Sequence, residues 1–330
     1  MSAVSQSPLV LTVAALAWLG RQGTRAIAAL VFIGIAVPPL GAVLKPYVTE
    51  AVFVLLCISF MRVDVVAMRG YLARPALVIA ATLWSGLAVP LLFGFGGVVS
   101  GVDQASPDLF LALMLQAVAS PMMASPALVA LMGLDATLVL ITLVTSTALV
   151  PFSAPLFAWL FFGSALTISP FALGLKLLAI LAGAILVAAL IRRWVGAEAI
   201  ARHRQPIDGI NILVLLVFVS AIMGTVAASL WAEPVRVLLL TAFAFAVFAI
   251  LLGATAVVFR RAGQERALAL GLMVSQRNMG LMLAATDGAL PGLTWLYFGL
   301  AQFPIYVSPQ LLKPLVRRLQ GGSIAARPDR

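Results

Sequence analysis

Between Arg236 and Arg260 the chain runs for twenty-three residues, Val237 to Phe259, without a charged side chain. As a helix rising about 1.5 Å per residue, that run is roughly 35 Å long, enough to cross the ~30 Å hydrocarbon core of a bilayer. No other feature constrains the fold as much, because in lipid every backbone N–H and C=O must find its partner within the chain. The run is also repeated. Apolar stretches separated by charged or Gly/Pro-rich breaks lie near residues 25–44, 47–66, 75–98, 107–132, 135–162, 170–192, 207–231, 234–260, 264–289 and 291–316. The pattern predicts an all-α polytopic membrane protein with ten transmembrane helices.

Composition agrees. Hydrophobic residues make up 63% of the chain and charged residues 10%, against about 25% charged in a soluble domain. The net charge of +10 does not point to nucleic acid, since the basic residues sit in short clusters between apolar runs. With the N-terminus inside, alternate loops collect 17 Lys and Arg on the inner side and two, Lys45 and Arg236, outside. This asymmetry predicts a plasma (inner) membrane protein with both termini cytoplasmic. The run "SPLVLTVAALAWLG" is short for a span, lacks the flanks of a signal peptide, and reads as an interfacial helix or disordered lead within an N-terminal segment, 1–24. Residues 317–330 read as a cytoplasmic tail.

Ten spans divide into two sets of five, 25–162 and 170–316. Because five is odd, the second set must insert upside down relative to the first. Inverted repeats of this kind belong to secondary transporters, with the substrate near the midplane where broken helices meet. The fourth span contains "LALMLQAVASPMMASPAL", with Pro121 and Pro126 inside it, and the ninth contains "LALGLMVSQRNMGLML". Each half thus has its polar, helix-unfriendly cluster in the same ordinal span.

Arg277 is the most conspicuous member of these clusters. It lies about 13 residues from each end of its span, roughly 20 Å from either boundary and beyond the reach of snorkelling. A charge there costs at least about 2.5 kcal/mol on insertion scales. No Asp or Glu lies mid-span to pair with it. Carbonyls at the ends of broken helices or an anionic substrate remain as partners, and a purely structural tie between the broken helices is the competing role. Beside Arg277, the substrate-binding candidates are Ser275, Gln276, Asn278, Ser120, Ser125 and Gln116, with Pro121 and Pro126 as helix breakers. The lone Cys57 and His203 suggest no metal site, and with no phosphate loop, catalytic triad or carboxylate pair the chain suggests no cofactor and no enzyme.

Three stretches carry a family resemblance: "ASPMMASPALVALMGLDATLVLITLVTSTALVPFSAPL" (Ala119–Leu156), "ERALALGLMVSQRNMGLMLA" (Glu265–Ala284) and "FMRVDVVAMRGYLARP" (Phe60–Pro75). In these the sequence resembles the bile acid:sodium symporter family. The resemblance implies a panel domain and a core domain, with the fourth and ninth helices broken and crossing at the midplane beside two sodium sites. It also shows departures. The family's glycine pair falls on Met122–Met123, its Ser-Asn sodium ligands on Pro126 and Ala127, and its fifth-helix hydroxyl ligands on Leu140 and Val144. Its ninth-helix Glu falls on Met273, the Gln four residues later on Arg277, and its third-helix Gln on Ser85. Sodium needs several hard oxygen ligands, and those implied ones are gone.

The function expected is therefore a secondary transporter of a small or amphipathic organic anion, working by alternating access without sodium, with Arg277 in place of the coupling cation. Arginine does not titrate, which leaves proton coupling without a carrier group. Alternatives are a sodium symporter with a relocated ion site and a non-transporting membrane receptor or scaffold. An arsenite-type permease would want a cysteine in the fourth span and a cation antiporter a membrane aspartate. The expected partners are the organic anion and the lipid bilayer; self-association is left open.

Overall fold

The computed structural model describes residues 8–62, 75–162 and 168–325. Much of the Phe60–Pro75 stretch lies outside them. Among the described residues the protein is all-α with no β-strand. Six helical runs are long and apolar enough to cross a membrane: Pro38–Met61, Pro75–Val99, Ala136–Phe161, Pro170–Val195, Arg204–Ala232 and Pro234–Val258. Their outer faces carry large apolar groups in the open. Phe171 is 81% exposed and Trp231 85%, which a soluble protein would hide and a lipid-facing one does not.

In chain order the helices of seven or more residues are α1 (Pro8–Gln22), α2 (Thr24–Ala36), α3 (Pro38–Leu44), α4 (Val48–Met61), α5 (Pro75–Val99), α6 (Pro107–Val118), α7 (Ser125–Leu131), α8 (Ala136–Phe157), α9 (Pro170–Val195), α10 (Arg204–Ala232), α11 (Pro234–Val258), α12 (Gln264–Ser275), α13 (Met279–Ala285), α14 (Gly292–Leu300) and α15 (Gln302–Ala325). The chain forms two compact units, each taking segments from both halves of the sequence: residues 1–63 with 179–231, and residues 64–178 with 232–330.

In the first unit, α1 is an ordered helix rather than a disordered lead. It packs on α10 so closely that a Cβ on Gly20 would stand 2.0 Å from the Gln205 carbonyl oxygen, and one on Gly209 would stand 2.1 Å from that of Leu16. Small residues bring the α3 and α10 backbones together in the same way at Gly41 and Gly224. The loop expected at Lys45–Pro46 is instead a single 3-10 turn between α3 and α4. Proline is tolerated there because a first-turn N–H needs no helical partner. The chain interrupts at Val37 instead, before Pro38–Pro39.

The second unit holds a large apolar core in which Val78 and Ala81 of α5, Leu138, Val139 and Leu143 of α8, and Leu270, Met273 and Val274 of α12 pack together. Its helix junctions are built locally. Gly133 takes a φ of 72° that only glycine adopts cheaply. Asp135 then caps α8, accepting from the Leu138 N–H at 3.0 Å, and its carboxylate also pairs with Arg266 of α12 at 3.4 Å. The expected tail begins inside a helix, since α15 continues to Ala325.

Candidate functional site

The site is built where two spans fail to stay helical. The run expected as the fourth span is divided into α6 and α7 around residues 119–124, and the one expected as the ninth into α12 and α13 at residues 276–278. Both breaks divide their span alike, into a half of 12 residues followed by one of 7. Each break leaves backbone groups without intrahelical partners, and the two stretches satisfy one another. Pro121 and Arg277 face each other as an isolated antiparallel bridge. The Met122 N–H donates to the Gln276 carbonyl at 2.8 Å and the Asn278 N–H to that of Ser120 at 2.7 Å. Pro121 has no N–H to give, and at this position of the bridge none is required. Pro126 lies in the first turn of α7 and so begins the second half-helix rather than making the break.

Arg277 is 2% exposed. Its Nη1 donates to the Ala119 carbonyl at 3.0 Å, the Ser85 hydroxyl at 3.1 Å and the Ser85 carbonyl at 3.2 Å; Nη2 reaches the Ser85 carbonyl at 3.3 Å. Ala119 closes α6, where a free carbonyl is expected. The availability of the Ser85 carbonyl has a separate cause in α5. Residues Trp84–Ala88 form a π-helical turn in which the Val89 N–H bonds the Trp84 carbonyl. The next residue, Pro90, has no N–H. The Ser85 oxygen therefore loses both its α-type donor, Val89, and its π-type donor, Pro90, and the guanidinium replaces them. No carboxylate among the described residues pairs with Arg277: the acids in ion pairs, Asp135, Asp208, Glu233 and Asp287, bond other bases.

The other candidates divide. Ser125 Oγ donates to Gln276 Oε1 at 3.0 Å, which ties the breaks a second time. Asn278 is half-buried and, with Met122, Met123 and Ala124, forms the accessible edge of the crossing. Ser275 Oγ bonds back to the Leu272 carbonyl of its own helix. Gln116 accepts from the buried Tyr297 hydroxyl at 2.6 Å, a contact with α14 rather than with the crossing. Arg277 Nε, Gln276 Nε2 and Ser120 Oγ are buried without a partner. Because neighbouring residues of an extended stretch point to opposite faces, Gln276 turns to Ser125 while Arg277 turns to Ser85 and Ala119. Ser85, named from the sequence only as the place where the family's third-helix Gln falls and not as a binding residue, acts mainly through a backbone oxygen; the signal for that role was Pro90 within the third apolar run. No protein-family model matches this chain, and no curated protein matches it.

Proposed function

We propose that the protein is a secondary transporter of small or amphipathic organic anions that works without sodium, its coupling cation replaced by the Arg277 guanidinium. One observation carries the reading: a permanent cation is inserted among carbonyl oxygens freed by two helix irregularities, at Ala119 and Ser85, with no carboxylate beside it. Those oxygens present the partial negative charge that a bound cation would otherwise neutralise. The matched 12-plus-7 division of the two broken spans supports an inverted repeat of five helices, with ten spans in all. Three of the four expected spans missing from the six uninterrupted ones are divided, at 119–124, at 276–278 and at Ala301, and of the fourth, 25–44, the part after Val37 belongs to the uninterrupted Pro38–Met61 run. On this reading the membrane is the plasma membrane with both termini cytoplasmic, and the likeness to the bile acid:sodium symporter family reflects common ancestry with altered coupling.

Uptake of labelled carboxylates into proteoliposomes, with and without a sodium gradient, tests the reading in wild type and Arg277→Gln. Sodium-independent flux that disappears in the variant is expected, and flux that requires sodium would overturn the substitution. A second reading, a receptor or scaffold in which Arg277 is only a tie, draws on the complete engagement of Nη1 by protein oxygens. It predicts no flux of any anion.

A further inference from the structure

Arg277 is the only charged side chain among the described residues that is buried. The Ser85 and Ala119 oxygens around it are dipoles with no net charge. They ease the burial of the guanidinium without cancelling its charge, so the substrate-free site is a cation with no counter-ion. Hydrogen bonding shows a second imbalance. Arg277 Nε, Gln276 Nε2 and Ser120 Oγ, all in the two breaks, are buried without partners. The first two can only donate, and the hydroxyl can. A ligand that carries one negative charge and offers acceptors alone, as a carboxylate does, would supply the missing counter-ion and an acceptor for the Arg277 Nε.

Resting on the transport reading above, we infer that this carrier is an obligate anion exchanger, whose site changes sides only while an anion neutralises Arg277. The reset step decides this. A carrier whose positive charge is a dissociable ion can release that ion and return empty. Arginine can neither leave nor shed its proton. The empty site therefore carries a bare positive charge in a low-dielectric medium, while the loaded site is neutral. Return without an anion faces the full barrier and responds to voltage, by up to about fifty-fold per 100 mV if the charge crosses the whole field. Exchange moves no net charge and is indifferent to voltage.

The test uses wild-type protein in proteoliposomes, with labelled acetate, pyruvate, benzoate and cholate as probes. Each is offered, in sodium and in choline medium, to vesicles preloaded with the same unlabelled anion and to vesicles free of carboxylate, with the membrane potential clamped at zero or inside-negative. For any probe carried, preloading is expected to speed uptake by at least about ten-fold, with exchange changing less than about two-fold on imposing the potential. Equal uptake into loaded and unloaded vesicles overturns the exchange inference and leaves sodium-independent transport standing. A requirement for sodium overturns both, and so does the absence of flux for all four probes.

Discussion

Removing the Arg277 guanidinium leaves the Ala119 carbonyl and both oxygens of Ser85 buried without the donors they now have. Each unpaired buried group costs about 1–3 kcal/mol, so Arg277→Gln, which has two donors on a shorter stem, is expected to lose about 2–5 kcal/mol of stability. A fall in unfolding temperature in detergent would show it. Arg277→Lys keeps the charge but not the fork that spans two residues, and should fall between wild type and Gln. Ser85→Ala removes one hydroxyl contact and leaves the carbonyl in place, so its cost should be only about 0.5–1.5 kcal/mol. If Ser85→Ala matched Arg277→Gln, the carbonyl would not be the main acceptor. Arg277 was legible in the sequence because a charge in an apolar run stands out. Ser85 was legible only as the position where the resemblance puts the family's third-helix Gln; its role as a backbone acceptor was not, because every residue has a carbonyl.

Proline explains some of the interrupted elements and not others. In α5, Pro90 removes the donor that would have satisfied Ser85, and the helix widens to a π turn. Pro90→Ala restores that N–H and allows Ser85 or Gly86 an intrahelical partner. The substitution is expected to leave the helix intact but set the restored N–H against Arg277 for the Ser85 oxygen. Sodium-independent uptake should fall by more than stability does, and unchanged uptake would show that the π turn has no part in transport. The break at Gln276–Asn278 contains no proline; it exists because Met122, Ser120 and Ser125 offer these residues better partners from the other span. The sequence marks the polar clusters inside the runs 107–132 and 264–289 but not the bonds that hold the breaks open, since the partners are more than 150 residues apart. The α8 junction makes a simpler case. Asp135→Ala removes a helix cap and an ion pair together and should cost about 1–2 kcal/mol. Arg266→Gln spares the cap and should cost clearly less; equal unfolding midpoints for the two would argue against the cap.

For the molecule as a whole, a carrier without a dissociable coupling ion, as proposed, would have a plain signature. A ligand that binds only the folded protein raises its stability with concentration. The unfolding temperature of purified protein is expected to be the same in sodium chloride and choline chloride of equal concentration, and a rise specific to sodium would restore an ion site. The division into two units could not be read from hydropathy, which sees runs along the chain and not which runs pack together. Each unit is assembled from both halves; in the first, α10 meets the opening helices at close approaches such as Gly41 with Gly224 and Gly20 with Gln205. That interleaving also constrains how the protein is made. Residues 1–63 of the first unit have their partners in 179–231, so the ribosome must deliver the whole stretch from Asp64 to Leu178 before they can meet. At about 5–20 residues per second that stretch alone takes roughly 6–23 s, and until α10 follows it Gly20 and Gly41 lack the partner they pack against. The first unit to begin synthesis is thus finished only after α10 emerges.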